Sequence, residues 1–207
     1  MKSKIRVLIA DDHAIVRMGL ASLLGTKNDI EVVGEAEDGE AAVRKTLKLA
    51  PDVVIMDLMM PKMDGVAATA EIRRRLPGVK IMILTSYGAS DGIAHALSAG
   101  ATGALMKSTE FSEFVSAIRS IAAGERVIAP EIARQLSEDP PVPELTPRQA
   151  EILLSITRGL TNADIAKQLG IREDSVKEHV NAIFIKLGAA NRSEAIAIAM
   201  RKHLLNF

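Results

Sequence analysis

The sequence predicts an α/β fold built on a doubly wound, five-stranded parallel sheet, followed by a small all-α domain of four helices. Three observations carry this. Short Val/Ile-rich apolar runs without polar alternation recur to about residue 123, the pattern of strands buried on both faces. Amphipathic stretches long enough to be crossover helices separate them. Beyond about residue 144 the strand pattern stops, and helix start and stop signals follow one another to the end.

The apolar runs fall at 5–10, 30–33, 53–56, 81–84 and 104–106, the last being the weakest. Between and after them lie helical stretches at about 14–24, 39–49, 65–75, 91–99 and 110–123. These make five βα units, assigned to residues 1–123. Gly124 closes the fifth helix. The segment 124–144 then carries Pro130, Pro140, Pro141 and Pro143 around a polar, charged stretch, and it reads as a linker with one short helix at 131–136. Residues 145–207 form the helical domain. Thr146-Pro147-Arg148-Gln149 is a capping box with proline at the first helical position, and Gly159 stops the helix it opens. Thr161 to Asp164 opens a second helix ending at Gly170, and a third runs over 174–187 to Gly188. Asn191 to Glu194 caps a fourth.

Composition excludes several classes of function. Basic and acidic residues balance at 26 each, so the protein does not work through overall basicity. At 48% hydrophobic and 25% charged it is an ordinary globular chain. Without cysteine there is no disulfide scaffold, thiol catalysis or thiolate zinc site. The first apolar run is too short for a secretory h-region, and no stretch approaches the roughly 18 apolar residues of a membrane span. A soluble, cytoplasmic protein with no membrane partner is expected. None of His13, His95, His179 and His203 pairs at metal-ligand spacing, so none is assigned to a metal.

In an open parallel sheet, ligands sit beyond the carboxyl ends of the strands, where neighbouring crossovers diverge. Asp11 and Asp12 end the first run, Asp57 the third, Thr85 the fourth and Lys107 the fifth. With strand order 2-1-3-4-5 the three carboxylates converge, bordered by Thr85 and Lys107. Each residue alone has an ordinary explanation as a cap, turn or surface group; their joint placement at four strand ends does not. Three carboxylates facing one ammonium call for a hard divalent cation with oxygen ligands, Mg²⁺. Such an ion beside a carboxylate, with lysine and hydroxyl donors, suits phosphoryl transfer, and a carboxylate that accepts a phosphoryl group is the reading.

Ala10-Asp11-Asp12-His13, the stretch Asp57-Leu58-Met59-Met60-Pro61-Lys62-Met63-Asp64-Gly65, Thr85-Ser86 and Lys107-Ser108 resemble the receiver domain of two-component response regulators, a flavodoxin-like fold. The resemblance implies that Asp57 takes phosphate from the phosphohistidine of a sensor histidine kinase. It implies that Asp11, Asp12, Asp57 and the Met59 backbone carbonyl hold Mg²⁺, and that Thr85 and Lys107 bind the phosphoryl oxygens. No catalysis is expected beyond self-phosphorylation and autodephosphorylation at Asp57. A haloacid-dehalogenase-like phosphatase competes, but its nucleophile motif wants a second Asp where this chain has Met59. One departure from the receiver pattern matters: Ala104 stands where receivers usually carry the switch aromatic. Tyr87, the single tyrosine, is the candidate replacement. Coupling of phosphorylation to output that is weak or runs by another route is therefore expected. Met59 and Tyr87 would flank the line of water attack, which predicts slow autodephosphorylation.

Residues 161–187 read as helix, turn, longer helix, the arrangement that places the second helix in a major groove. Leu145-Thr146-Pro147-Arg148, Gly159-Leu160-Thr161-Asn162, Ile165-Ala166, Ser175 to Val180 and Lys186-Leu187 resemble the LuxR-type helix-turn-helix. The two halves together resemble a NarL/FixJ-type regulator. Residues 144–207 hold nine basic and seven acidic side chains, so placement must matter more than total charge. Lys177, Lys186 and Arg192 are the expected DNA contacts, with Arg172 weaker. Lys177, Glu178 and Asn181 lie within about one turn, where they can read guanine, cytosine and adenine edges respectively. Arg172 replaces the family's usual Ser or Thr cap, so the helix is expected to start at Asp174. The resemblance implies a homodimer on palindromic double-stranded DNA, with Ile196 and Ala199 of the last helix at the interface and RNA polymerase as a further partner. The competing reading is a phosphorylation-independent DNA-binding regulator whose receiver is a dimerisation scaffold, motivated by Ala104.

Overall fold

A computed structural model describes residues 4–86, 90–138, 142–143, 145–202 and 204. The chain divides into two compact units, Met1–Asp139 and Pro140–Phe207.

In the first unit five βα pairs follow in order: β1 (Ile5–Ala10), α1 (Ala14–Gly25), β2 (Ile30–Ala36), α2 (Gly39–Leu49), β3 (Val53–Met56), α3 (Gly65–Arg75), β4 (Lys80–Thr85), α4 (Ser90–Ser98), β5 (Gly103–Met106) and α5 (Phe111–Ala122). Every strand pairing is parallel, and the sheet order is the expected one as far as β5. β3 and β5 are buried along their whole length, which is why they read as continuous apolar runs rather than alternating ones. Helix starts follow local chemistry. Asp38 and Asp64 each accept a backbone N–H from the third residue on, Ala41 at 2.7 Å and Ala67 at 2.8 Å, fixing the entries of α2 and α3.

The segment read as a linker departs from that expectation. Val127–Ile128 form β6, a sixth strand pairing in parallel with β5; Pro130–Glu138 form α6, which contains the short helix expected at 131–136. Ile132 is fully buried in the first unit's core and Leu136 packs against it, so this stretch folds with the sheet and the division comes only after Asp139. A two-residue, half-buried strand has no periodicity to read. Pro130 is the first residue of α6, where its missing N–H costs nothing.

The second unit is α7 (Pro147–Thr157), α8 (Asn162–Leu169), α9 (Glu173–Leu187) and α10 (Arg192–Arg201). Both α7 and α8 open with reciprocal capping boxes, Thr146 with Gln149 and Thr161 with Asp164. Gly170 and Gly188 take φ of 63° and 66° to end α8 and α9, a conformation that β-carbon-bearing residues resist. The core joins Ile152, Leu153 and Ile156 of α7, Ile165 of α8, Val176, Ile183 and Leu187 of α9, and Ala195 of α10. α9 starts at Glu173 rather than at Asp174: Arg172 takes the extended cap backbone although its side chain makes no cap hydrogen bond.

Candidate functional site

Strand order puts the site at the carboxyl edge of the sheet. Because β1 and β3 are neighbours, Asp57 N donates to Ala10 O at 2.8 Å, and the carboxylates of Asp11 and Asp57 face each other. Lys107 spans them: its Nζ lies 2.7 Å from Asp11 Oδ2 and 2.8 Å from Asp57 Oδ2. Lys107 N in turn donates to Thr85 O at 2.7 Å, which holds the ends of β4 and β5 together and sets both side chains on one rim. Thr85 is buried and its hydroxyl rests on the Ser86 carbonyl at 3.2 Å.

Asp11, Asp12, His13 and Asp57 each offer a ligand atom, all within 4.8 Å of one another. Asp57 is 5% exposed. Burial raises its pKa above the ordinary carboxylate value, and the neighbouring Asp11 charge adds to this; the Lys107 hydrogen bond and charge offset only part. Lys107 is held above its usual pKa: burial works against the ammonium, but its contacts with the Asp11 and Asp57 carboxylates outweigh it. Asp11 Oδ2 is buried, and its ion contact with Lys107 is not aligned as a hydrogen bond. An all-oxygen set of three carboxylates with incomplete compensation fits a hard divalent cation. His13 stands beside this set. Its backbone N–H donates to Asp11 Oδ1 at 2.8 Å and its Nδ1 lies 2.7 Å from Asp12 Oδ1, so it is held by the carboxylates through proximity in the chain.

The loop from Asp57 to Gly65 is clamped against the start of α2. Lys62, at φ 65°, donates to the buried Asp38 carboxylate at 2.6 Å, and Gly39 N donates to Met63 O at 3.1 Å. A β-carbon at Gly65 would sit 2.1 Å from the Asp57 carbonyl oxygen, so only glycine lets the loop close this tightly. Met59 stands at the rim with its side chain 56% exposed. Ala104 is fully buried, and its carbonyl accepts Ala129 N at 3.0 Å just beyond β6. Tyr87 lies outside the described residues, as does His203.

In the second unit α9 presents Lys177, Glu178 and Asn181 as exposed residues opposite the buried Val176, Val180, Ile183 and Leu187. Two other expected DNA contacts have partners within the unit. Lys186 is half-buried and donates to Gln149 Oε1 at 2.9 Å, tying α9 to α7. Arg192 donates to the carbonyls of Ile156, in the last turn of α7, and of Leu160 in the loop beyond it. Ile196 is half-buried against the core and Ala199 is 2% exposed, so Ala199 packs inside its own domain instead of offering a surface to a partner.

Residues 7–119 match the response regulator receiver domain, and residues 143–199 match the bacterial regulatory proteins of the luxR family. The chain is 42% identical to the transcriptional regulatory protein LiaR of Bacillus subtilis over 98% of this chain and 100% of that one. It is 39% identical to the response regulator protein VraR of Staphylococcus aureus over 97% and 99%. Among solved structures, the response regulator ChrA of a heme-sensing two-component system superposes with a TM-score of 0.59 at 38% identity, covering 98% of this chain and 100% of that one. The two-component response regulator RcsB–DNA complex superposes with a TM-score of 0.67 at 26% identity, covering 96% and 99%.

Proposed function

The chain belongs to the response regulators that join a receiver domain to a LuxR-type DNA-binding domain, a phosphorylation-regulated transcription regulator, and from that premise we propose that Asp57 is its phosphoacceptor. The observation that carries this is Lys107 Nζ within 2.8 Å of both Asp57 and Asp11, at the rim shared with Thr85. In the transfer, an Asp57 oxygen attacks the phosphorus of a histidine kinase's phosphohistidine. The phosphorus–nitrogen bond breaks, the imidazole leaves, and an aspartyl phosphate remains. Asp57 must enter as the carboxylate. Lys107, at the expense of its contact with Asp57 Oδ2, then moves onto a phosphoryl oxygen, and the Thr85 hydroxyl turns from the Ser86 carbonyl to donate to another. Asp11, Asp12, Asp57 and the Met59 carbonyl would hold Mg²⁺, which supplies charge neutralisation of the equatorial oxygens.

Downstream, the α9 face with Lys177, Glu178 and Asn181 reads DNA as one half of a dimer on a palindromic site. Lys186 and Arg192 act by shaping the domain. A phosphorylation-independent regulator remains the second reading. The observation that favours it is Ala104, which supplies no aromatic ring to swing when Thr85 moves. The test of the first is intact-protein mass after incubation with an acyl phosphate and Mg²⁺. One phosphoryl group is expected on the wild type and none on Asp57→Asn, whereas equal labelling of both would refute Asp57 as acceptor. Lifetime of the label reports on Met59: faster loss in Met59→Asn is expected if this side chain shields the phosphorus from water.

A further inference from the structure

The exposed start of α9 is acidic where a groove-binding helix would be expected to be basic. From Glu173 to Glu178 it carries three carboxylates and a single cation, Lys177. That cation is already engaged. Its Nζ lies 3.3 Å from Glu173 Oε1 and 3.3 Å from Asp174 Oδ1, one turn back along the same helix face. Arg172 is drawn in as well, 3.6 Å from Asp174 Oδ2. The spacing of three and four residues makes these contacts a property of the helix itself, present before any ligand arrives.

Resting on the reading of α9 as the DNA-reading helix, we propose that Glu173 and Asp174 are specificity-determining residues that hold Lys177 back from nonspecific phosphate contact. Phosphate contacts contribute the same energy on every sequence, whereas base contacts contribute only on the right one. A lysine held between two carboxylates must give up those contacts to reach a phosphate, and the carboxylates themselves are repelled by the backbone. On random DNA the exchange returns little. At the cognate site Asn181 and Glu178 also find partners, and only there does releasing Lys177 to a base edge give a net gain. The acids thus lower affinity for all DNA and raise the ratio between right and wrong sequence.

The test is fluorescence anisotropy of full-length protein on a random-sequence duplex and on a duplex selected from a random pool by the wild type, across a salt series. The variants are Glu173→Gln/Asp174→Asn and the same pair with Lys177→Gln. Glu151→Gln on α7 is the control, since it also frees a cation, Arg148, but away from α9. In the double variant random-duplex binding should tighten at low salt, with a salt slope steeper by about 0.9 for each freed cation. For Lys177 alone that is roughly a threefold larger loss of affinity between 50 and 200 mM salt. Affinity for the selected duplex should rise less, so the specificity ratio falls. An unchanged ratio and slope would overturn the proposal. So would the same steepening with Lys177→Gln in place, or in Glu151→Gln. Failure of the wild type to bind any duplex would instead refute the DNA-binding reading of α9. Unchanged thermal unfolding shows that the variants remain folded.

Discussion

Replacing Asp57 by Asn should stabilise the metal-free protein. Among the described residues the Asp57 carboxylate has one favourable ionic partner, Lys107 Nζ at 2.8 Å, and two like charges, Asp11 and Asp12, with ligand atoms within 4.8 Å. At an effective dielectric constant of about 20 the attraction is worth about 6 kcal/mol and each repulsion at that limiting distance about 3.5 kcal/mol. Asp12 is partly solvated, so its share is smaller. The pairwise terms therefore nearly cancel, and the cost of burying the charge is left uncompensated. Asparagine keeps the shape and can still accept from Lys107. A gain of about 1 to 3 kcal/mol at pH 7.5 in chelator follows, or roughly 3 to 10 °C in the melting of the first unit by calorimetry. The pH dependence fixes the sign. Burial raises the folded pKa of Asp57 above its unfolded value near 3.8, so the wild type loses stability as pH rises from there through the folded pKa. The variant's advantage should thus vanish near pH 4 and be complete above the folded pKa. Mg²⁺ should shrink it by stabilising the wild type more. A variant no more stable than wild type in chelator at pH 7.5, or one whose advantage grows toward acid, would refute this electrostatic account.

Gly65→Ala should abolish phosphorylation of Asp57 or unfold the loop, because its β-carbon meets the Asp57 carbonyl at 2.1 Å; mass labelling and a melting curve distinguish these outcomes. Ile132→Ala should cost about 2 to 5 kcal/mol of first-unit stability by chemical denaturation, since Ile132 is a fully buried core residue; no loss is the result expected of a linker. Arg192→Ala should destabilise the second unit by releasing the Ile156 and Leu160 carbonyls, whereas Lys177→Ala should leave melting unchanged and weaken binding to a selected duplex more than to a random one.

Most of the fold was legible because parallel strands covered on both faces need unbroken apolar runs, and such runs announce themselves. The site was legible for a related reason: Asp11, Asp12, Asp57, Thr85 and Lys107 occupy strand ends, and strand order decides which ends meet. What escaped were features defined by tertiary partners. β6 exists because β5 offers it an edge, and no two-residue pattern encodes that. The Asp38–Lys62 contact joins residues 24 apart through a turn whose shape depends on Lys62 at positive φ. The hydrogen bonds of Lys186 to Gln149 and of Arg192 to the Ile156 and Leu160 carbonyls were also out of reach, since charge and motif do not show which helix ends and amides a long cationic side chain meets. Ala199 illustrates the converse: apolar residues of a terminal helix serve a core or a seam with the same spacing, and only burial separates them.

The central claim is that phosphorylation of Asp57 governs DNA binding. Its most direct test is the affinity of full-length protein for a duplex selected from a random pool, measured with and without an acyl phosphate and Mg²⁺, in wild type and Asp57→Asn. Affinity that rises with the donor in the wild type alone is predicted. Equal affinity in all four conditions, with Asp57 shown by mass to be phosphorylated, would contradict the claim and leave the receiver as a scaffold.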